Sequence, residues 1–349
     1  MILLYLILLI ICLCGIKIRR VESGDCAYLD KKQTKSIQGI FVILVFFSHF
    51  ASYINAENIL DKSFVLITSK IGQLMVTMFL FYSGYGIMQS IKKDRVGYVN
   101  NFAKHRILTV YVRFFVSVIL FLGLNIALGL VGTKYTIVDC LLAFIAWTSI
   151  GNSTWFMFAT FTMYIIVLIS FMSFSKHDVK VPLIFVTVLT FVYIIIFAVL
   201  IKRGPWWYNT VLCFPFGMWV SYFIDKIKNI EKNNKLYFIA VSCAVVSFLG
   251  LYLLQDKIPF AWGYCFMSLA FVSIVVLFTM KIKVGNKVLE FLGTHVFSVY
   301  ILQRLMYIIF NDISDNLYLF FFISVASTLI VSICFDFLMN KLLNKIKKT

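Results

Sequence analysis

The chain reads as an all-α polytopic membrane protein. Three observations predict this. Of its 349 residues, 62% are hydrophobic and 13% charged, apolar runs recur along the whole length, and the cations fall in alternate gaps between those runs. An ordinary soluble domain is roughly 45–50% apolar and about 25% charged, so the soluble globular class is excluded. Disorder needs low hydrophobicity and is excluded too. Seventeen glycines without a period rule out a collagen-like chain, and eight cysteines rule out a disulfide scaffold.

A membrane helix needs roughly 20 mostly apolar residues. Eleven runs approach that length: 2–16, 38–54, 71–90, 107–131, 154–174, 181–201, 209–224, 236–254, 260–280, 292–309 and 317–339. The apolar stretch 137–150 is shorter and reads as a re-entrant or interfacial segment. The first run lacks the basic start of a signal peptide and is followed by Lys17, Arg19 and Arg20 rather than a small-residue cleavage site. Leu13 stands where a lipoprotein cysteine signal needs a small residue before Cys14. An uncleaved helix with its N-terminus outside is expected.

The net charge is +17. With no aromatic-basic nucleic-acid module beside it, this charge follows the positive-inside rule, under which short cytoplasmic loops collect Lys and Arg. Placing residues 17–37 inside puts 24 of the 32 cations inside and 6 outside, with Arg113 and Arg304 within spans. The C-terminus is then cytoplasmic. No internal repeat of the transporter kind is visible. The cysteines, including Cys12, Cys14 and Cys26, show no CxxC or Cys/His spacing, so neither a disulfide nor a metal site is expected.

Ionisable residues in a span are functional candidates by default. His49 is the sharpest, in a run whose inner end is Gln38, eleven residues earlier. At 1.5 Å per residue and 3.6 residues per turn, the two share a face and lie about 16 Å apart along the axis. Histidine is the usual general base near neutral pH. The competing reading is a structural histidine bonded to a neighbouring carbonyl. Arg113 sits near the inner end of its span and is placed to snorkel. Arg304, after Gln303, lies deeper and reads as functional or structural-polar. Asp336 reads as interfacial and His295 as an ordinary boundary residue, while His105 and His177 fall in loops. Lys92, Lys93, Arg95, Lys104 and Arg106 crowd one cytoplasmic loop, where they fit either a polyphosphate ligand or the positive-inside rule alone. Ser83 and Gly84, at the end of the third span, permit close helix packing or passage of a thin linear group.

In this order, the pieces resemble the membrane-bound acyltransferase-3 family of the surface-polysaccharide O-acetyltransferase type. The family's core opens with a basic residue, ten residues and a histidine. Here that histidine is His49, with Gln38 at the basic position and Lys35 one turn earlier. An apolar run ending in Ser83-Gly84 leads into a basic loop and Lys104-His-Arg106, with Thr109 where a second arginine is common. Trp155 opens a later helix, Gly217-Met follows, and Gly293 to Tyr300 and Gln303 match the last landmark, with Val296 and Gln303 as departures. The resemblance covers about residues 35–340. It implies a ten-helix core over 38–340, preceded by an extra N-terminal transmembrane helix (1–20) and a basic linker (21–37), and followed by a basic tail (341–349).

The resemblance further implies an acetyl-CoA donor and no metal. Lys92, Lys93, Arg95, Lys104 and Arg106 would pair with the donor's phosphates, and its arm would pass Ser83 and Gly84. His49 would act as base or acyl relay toward a hydroxyl of a glycan or lipid-linked sugar. Gln38, Lys35, Arg113, Trp155, Tyr300, Gln303 and Arg304 complete the expected polar and substrate-side set. Two other readings remain at this point: a transporter or flippase for a lipid-linked glycan, consistent with Trp206 and Trp207, and an inactive family member, given Gln38, Thr109 and Gln303. Lysine outnumbers arginine 25 to 7, which points to an AT-rich bacterial genome and hence a bacterial plasma membrane.

Overall fold

Within hydrocarbon, every backbone amide must find its partner inside the protein, and this chain meets that demand almost entirely with helices. The computed structural model describes residues 1–19, 27–55, 57–254, 257, 262–311 and 313–348; Arg20 and Cys26, named above, lie outside them. The helices are α1 (Leu3–Leu13), α2 (Lys31–Phe50), α3 (Ile59–Ile71), α4 (Thr77–Lys93), α5 (Arg95–Asn100), α6 (Leu108–Ala127), α7 (Ile137–Ala143) and α8 (Trp155–Ser173). They continue as α9 (Lys180–Ile195), α10 (Cys213–Tyr222), α11 (Ile224–Lys232), α12 (Asn234–Leu254), α13 (Trp262–Lys281), α14 (Lys287–Thr294), α15 (Val296–Phe310) and α16 (Leu317–Lys348). One antiparallel pair of two-residue strands, β1 (Lys17–Ile18) and β2 (Ile282–Lys283), joins the end of α1 to the end of α13.

Among the described residues, eight helical segments are long and apolar enough to cross a membrane, or nine if α14 and α15 are one span bent by 80°. The three other sequence runs are short or broken. Helix α1 has 11 residues, about 16 Å at 1.5 Å per residue, against a hydrocarbon core of about 30 Å. Helix α10 has 10 residues, and the tenth run is the bent pair. Helix α7, with seven residues, is far too short to span. Its start is fixed by a Thr136/Asp139 capping box, in accord with the interfacial or re-entrant reading.

Three boundaries differ from the sequence reading. The second half of the expected linker is helical: α2 begins at Lys31, where Asp30 accepts a hydrogen bond from the Gln33 N–H. The expected tail is not separate, because α16 continues through Lys341 to Lys348. The stretch before the third span forms α3, started by Asn58, whose side chain accepts from the Asp61 N–H. Asp61, Lys62 and Lys70 interrupt the apolar run there and hid the helix from a hydropathy reading.

Two close helix crossings set the frame. A Cβ on Gly84 would stand 2.0 Å from the Phe214 carbonyl oxygen, and one on Gly217 would stand 2.1 Å from that of Phe81. Helices α4 and α10 therefore touch backbone to backbone. Helices α2 and α14 do the same, with Gly39 against the Leu289 oxygen at 2.2 Å and Gly293 against that of Lys35 at 1.8 Å. Lipid tails are as apolar as leucine, so helices associate by such close packing rather than by a hydrophobic drive. Gly84→Ala is expected to lower stability by about 1–3 kcal/mol, read as thermal unfolding in detergent. Gly86→Ala, where an added Cβ meets nothing within 4 Å, is the matched control and should leave the transition in place.

Candidate functional site

Two cavities lie along α2 and share one wall. The first, about 360 Å³, is bounded by Gln38 of α2, Tyr82 and Ser83 of α4, Thr109 and Arg113 of α6, and Arg106 just before α6. The second, about 430 Å³, is lined by His49, Tyr53, Gln73, Trp155, Trp206 and Arg304. Tyr300 of α15 lines both. At this partition the Tyr300 and Phe156 rings are 5.0 Å apart, and Phe79 lies 6.4 Å from Tyr300 and 6.1 Å from Phe156. The three rings are buried and close the first cavity toward the second. Gln38 and His49 do share a face of α2, and each opens onto a different cavity.

The walls carry buried polar atoms that have no protein partner. In the first cavity these are Tyr82 Oη, Thr109 Oγ1 and Arg113 Nε; in the second they are His49 Nδ1 and Gln73 Oε1. Buried polar atoms are normally paired, so these five mark surfaces suited to a polar ligand. The charge of Arg304 acts on both His49 and Tyr53, while its Nη1 donates to the Asn152 carbonyl at 3.3 Å. An imidazole with a free ring nitrogen beside a fixed cation is equipped to handle a proton and to stabilise a developing oxyanion.

Local structure explains how the first cavity gets its cations. Residues Ala103–Ile107 form a π-turn at the head of α6, a distortion frequent at functional sites. From it Arg106 reaches the cavity, its Nε donating to Tyr98 Oη at 3.1 Å. Arg113 is clamped: its Nη1 lies 2.5 Å from Asp336 Oδ1 and its Nη2 donates to Asn340 Oδ1 at 2.6 Å. Asp336 also accepts from Ser298 Oγ at 2.6 Å and pairs with His295 Nδ1 at 2.6 Å. Arg113 therefore does not snorkel free. His295 is likewise not an ordinary boundary residue; with Asp336, read above as interfacial, it forms the clamp at the α14–α15 bend.

The remaining sequence candidates divide. Ser83 lines the first cavity and shares a 2.9 Å hydrogen bond with Tyr164 Oη. Gly84 faces α10 instead, because its missing Cβ is what lets that helix approach. Lys93 and Lys104 are exposed and line neither cavity. Lys92 donates to the Ser221 carbonyl at 3.2 Å. Arg95 is tied to the turn after α8, donating to the carbonyls of His177 at 2.6 Å and Phe174 at 2.7 Å. Of the five loop cations, only Arg106 reaches a cavity wall. Lys35 contributes its backbone to the α2–α14 crossing. Gln303 is buried outside both cavities, donating to the Tyr300 carbonyl at 3.3 Å. Trp155 and Trp206 line the second cavity. Trp207 is buried, its ring 5.6 Å from that of Trp147, with Arg203 over both. Sequence reading missed Tyr53, Gln73, Tyr82 and Tyr164, whose residue types are too common in apolar helices to stand out.

A family model for the acyltransferase domain, acyltransferase-3 type, matches residues 35–337. The chain belongs to the acyltransferase-3 family. No curated protein and no solved structure matches it. The matched acyltransferase segment runs from α2 into α16 and contains both cavities, while α1 lies before it. Two departures from the family pattern, Gln38 and Thr109, face the first cavity of this acyltransferase-3 protein. Arg113, one turn beyond Thr109, lines the same wall and supplies a cation there.

The clamp makes a measurable claim. The side chains of Arg113 and Asp336 are 17% and 13% exposed, so removing one partner strands a largely buried charge. Asp336→Ala is expected to destabilise by about 3 kcal/mol. Arg113→Ala/Asp336→Ala together should cost less than Asp336→Ala alone, by thermal or denaturant unfolding.

Proposed function

We propose that this membrane acyltransferase is an O-acyltransferase, foremost an O-acetyltransferase, moving an acyl group from cytosolic acyl-CoA to a hydroxyl of an extracytoplasmic or lipid-linked glycan. The observation that carries the reading is the pair of cavities meeting at Tyr300, one with arginines and the other with His49 and Arg304. Arg106 and Arg113 suit the phosphates of the donor. Tyr82 Oη and Thr109 Oγ1 suit the amides of its arm. Trp155, Trp206 and Tyr53 offer flat apolar faces for a sugar ring, and Gln73 offers a polar edge.

In the direct route, His49 takes the proton of the acceptor hydroxyl as its oxygen attacks the thioester carbonyl. Arg304 stabilises the tetrahedral oxyanion. The C–S bond then breaks, and the thiolate recovers the proton from His49. In the relay route, the His49 imidazole attacks the thioester, the C–S bond breaks and the thiolate leaves with the ring N–H proton; the acceptor hydroxyl then attacks the acyl-imidazole and gives its proton to the ring as the C–N bond breaks. Either route requires the Tyr300–Phe156 contact to part, because those rings separate the two cavities.

The deciding experiment is NMR of the surface polysaccharide from cells with wild type, a deletion and His49→Ala. O-acetyl signals present only with wild type are expected. Unchanged O-acetylation in the deletion, with less glycan exported, overturns the reading in favour of a transporter. In membranes, Arg106→Ala should raise the KM for acetyl-CoA by about tenfold, equal to about 1.4 kcal/mol. Lys92→Glu/Lys93→Glu should change it less, since neither lysine lines the cavity. Equal effects would return the donor site to the loop.

A further inference from the structure

A third cavity lies away from the two already described. It holds about 520 Å³ between α1, α2, α14 and α16, and its walls are apolar, with Leu8, Ile11, Ile43 and Val325 among them. The exception is Lys287, the first residue of α14. The end of α1 is fastened at this spot: Asn286 Nδ2 donates to the Ile11 carbonyl at 2.7 Å, and Gly15 packs on Gly285. Two residues beyond Gly15, Lys17 stands directly opposite Lys283 in the β1–β2 pair. Both lysines and Lys287 are exposed, and no ion pair among the described residues involves any of them.

Like charges directly opposite across a strand pair destabilise it. Here the fold nevertheless fixes two lysines opposite each other in the strand pair that follows α1, with Lys283 four residues before Lys287 on the cavity wall. We propose that this seam binds one anionic phospholipid, its phosphate held by Lys17, Lys283 and Lys287 and an acyl chain seated in the cavity. The headgroup relieves the repulsion, and the chain occupies the space left beside α1, which with 11 residues is too short to fill the seam. A polybasic group at a membrane face attracts anionic lipid. The ligand is committed by both halves of the site: the cations select negative charge, and the cavity selects an acyl chain. Helix α1 lies before the matched acyltransferase segment, and the cavity's walls on α2, α14 and α16 lie within it, so the site works as a lipid clamp that holds the added helix to the acyltransferase core.

The test uses the full chain purified in detergent, with 1-palmitoyl-2-oleoyl phosphatidylglycerol, its phosphatidylcholine counterpart and inorganic phosphate as separate additions. Thermal unfolding and native mass spectrometry are the readouts. Phosphatidylglycerol should raise the Tm above the value in phosphatidylcholine and remain bound at one copy, while phosphate should do neither. Lys17→Gln/Lys283→Gln/Lys287→Gln should weaken phosphatidylglycerol retention by tenfold or more and leave the Tm in phosphatidylcholine within a few degrees. Leu8→Trp, which fills the cavity and keeps all three lysines, should also displace the bound lipid. Equal retention of the two lipids by wild type, or unaltered phosphatidylglycerol retention in both variants, overturns the proposal. Protection by inorganic phosphate equal to that by phosphatidylglycerol overturns the acyl-chain half of it.

Discussion

The backbone contact between glycine-bearing helices is the constraint on which the rest of the molecule depends. Helices in lipid gain nothing by hiding apolar surface from one another, so their positions are set by how closely they approach. Gly84 and Gly217 bring α4 against α10, and Gly39 and Gly293 bring α2 against α14. Helices α2 and α4 carry His49, Gln38, Tyr82 and Ser83, so these two crossings place the polar side chains of both cavities. The 80° turn after α14 then aims α15 between the cavities, with Tyr300 on the shared wall.

Charge placement follows from that frame. A lone arginine on a membrane helix is costly, and this chain places its two span arginines where protein polar groups answer them. Arg113 meets Asp336 and Asn340, and Asp336 is itself tied to Ser298 and His295. Arg304 meets the Asn152 carbonyl. One of these two span arginines faces each cavity; under the proposed function, holding an anionic donor and stabilising an oxyanion would fall to different helices on opposite sides of one aromatic partition.

The sequence carried much of the site, but unevenly. His49 and Arg304 stood out because ionisable residues are rare within apolar runs. The face shared by Gln38 and His49 followed from helical periodicity alone. The loop cations stayed ambiguous because Lys and Arg gather at that membrane face whether or not a ligand binds, and proximity in sequence did not distinguish Arg106, on the cavity wall, from Arg95, bonded to a loop. Gly84 carried two readings, helix packing and ligand passage, because the same lack of a Cβ serves either; its contact with Phe214 is the packing one. Asp336 and His295, 41 residues apart, gave no local sign of their contact.

The sequence by itself determined the class, the family and most of the long apolar helices, because hydropathy and motif spacing are local properties of the chain. It also located the histidine within a span, His49. Tertiary structure alone decided which apolar runs are long enough to span, which cations reach a cavity, and that two cavities meet at Tyr300. Those outcomes depend on how closely helices distant in sequence approach one another, and that distance is set by interlocking backbone and side-chain volumes that no single segment contains.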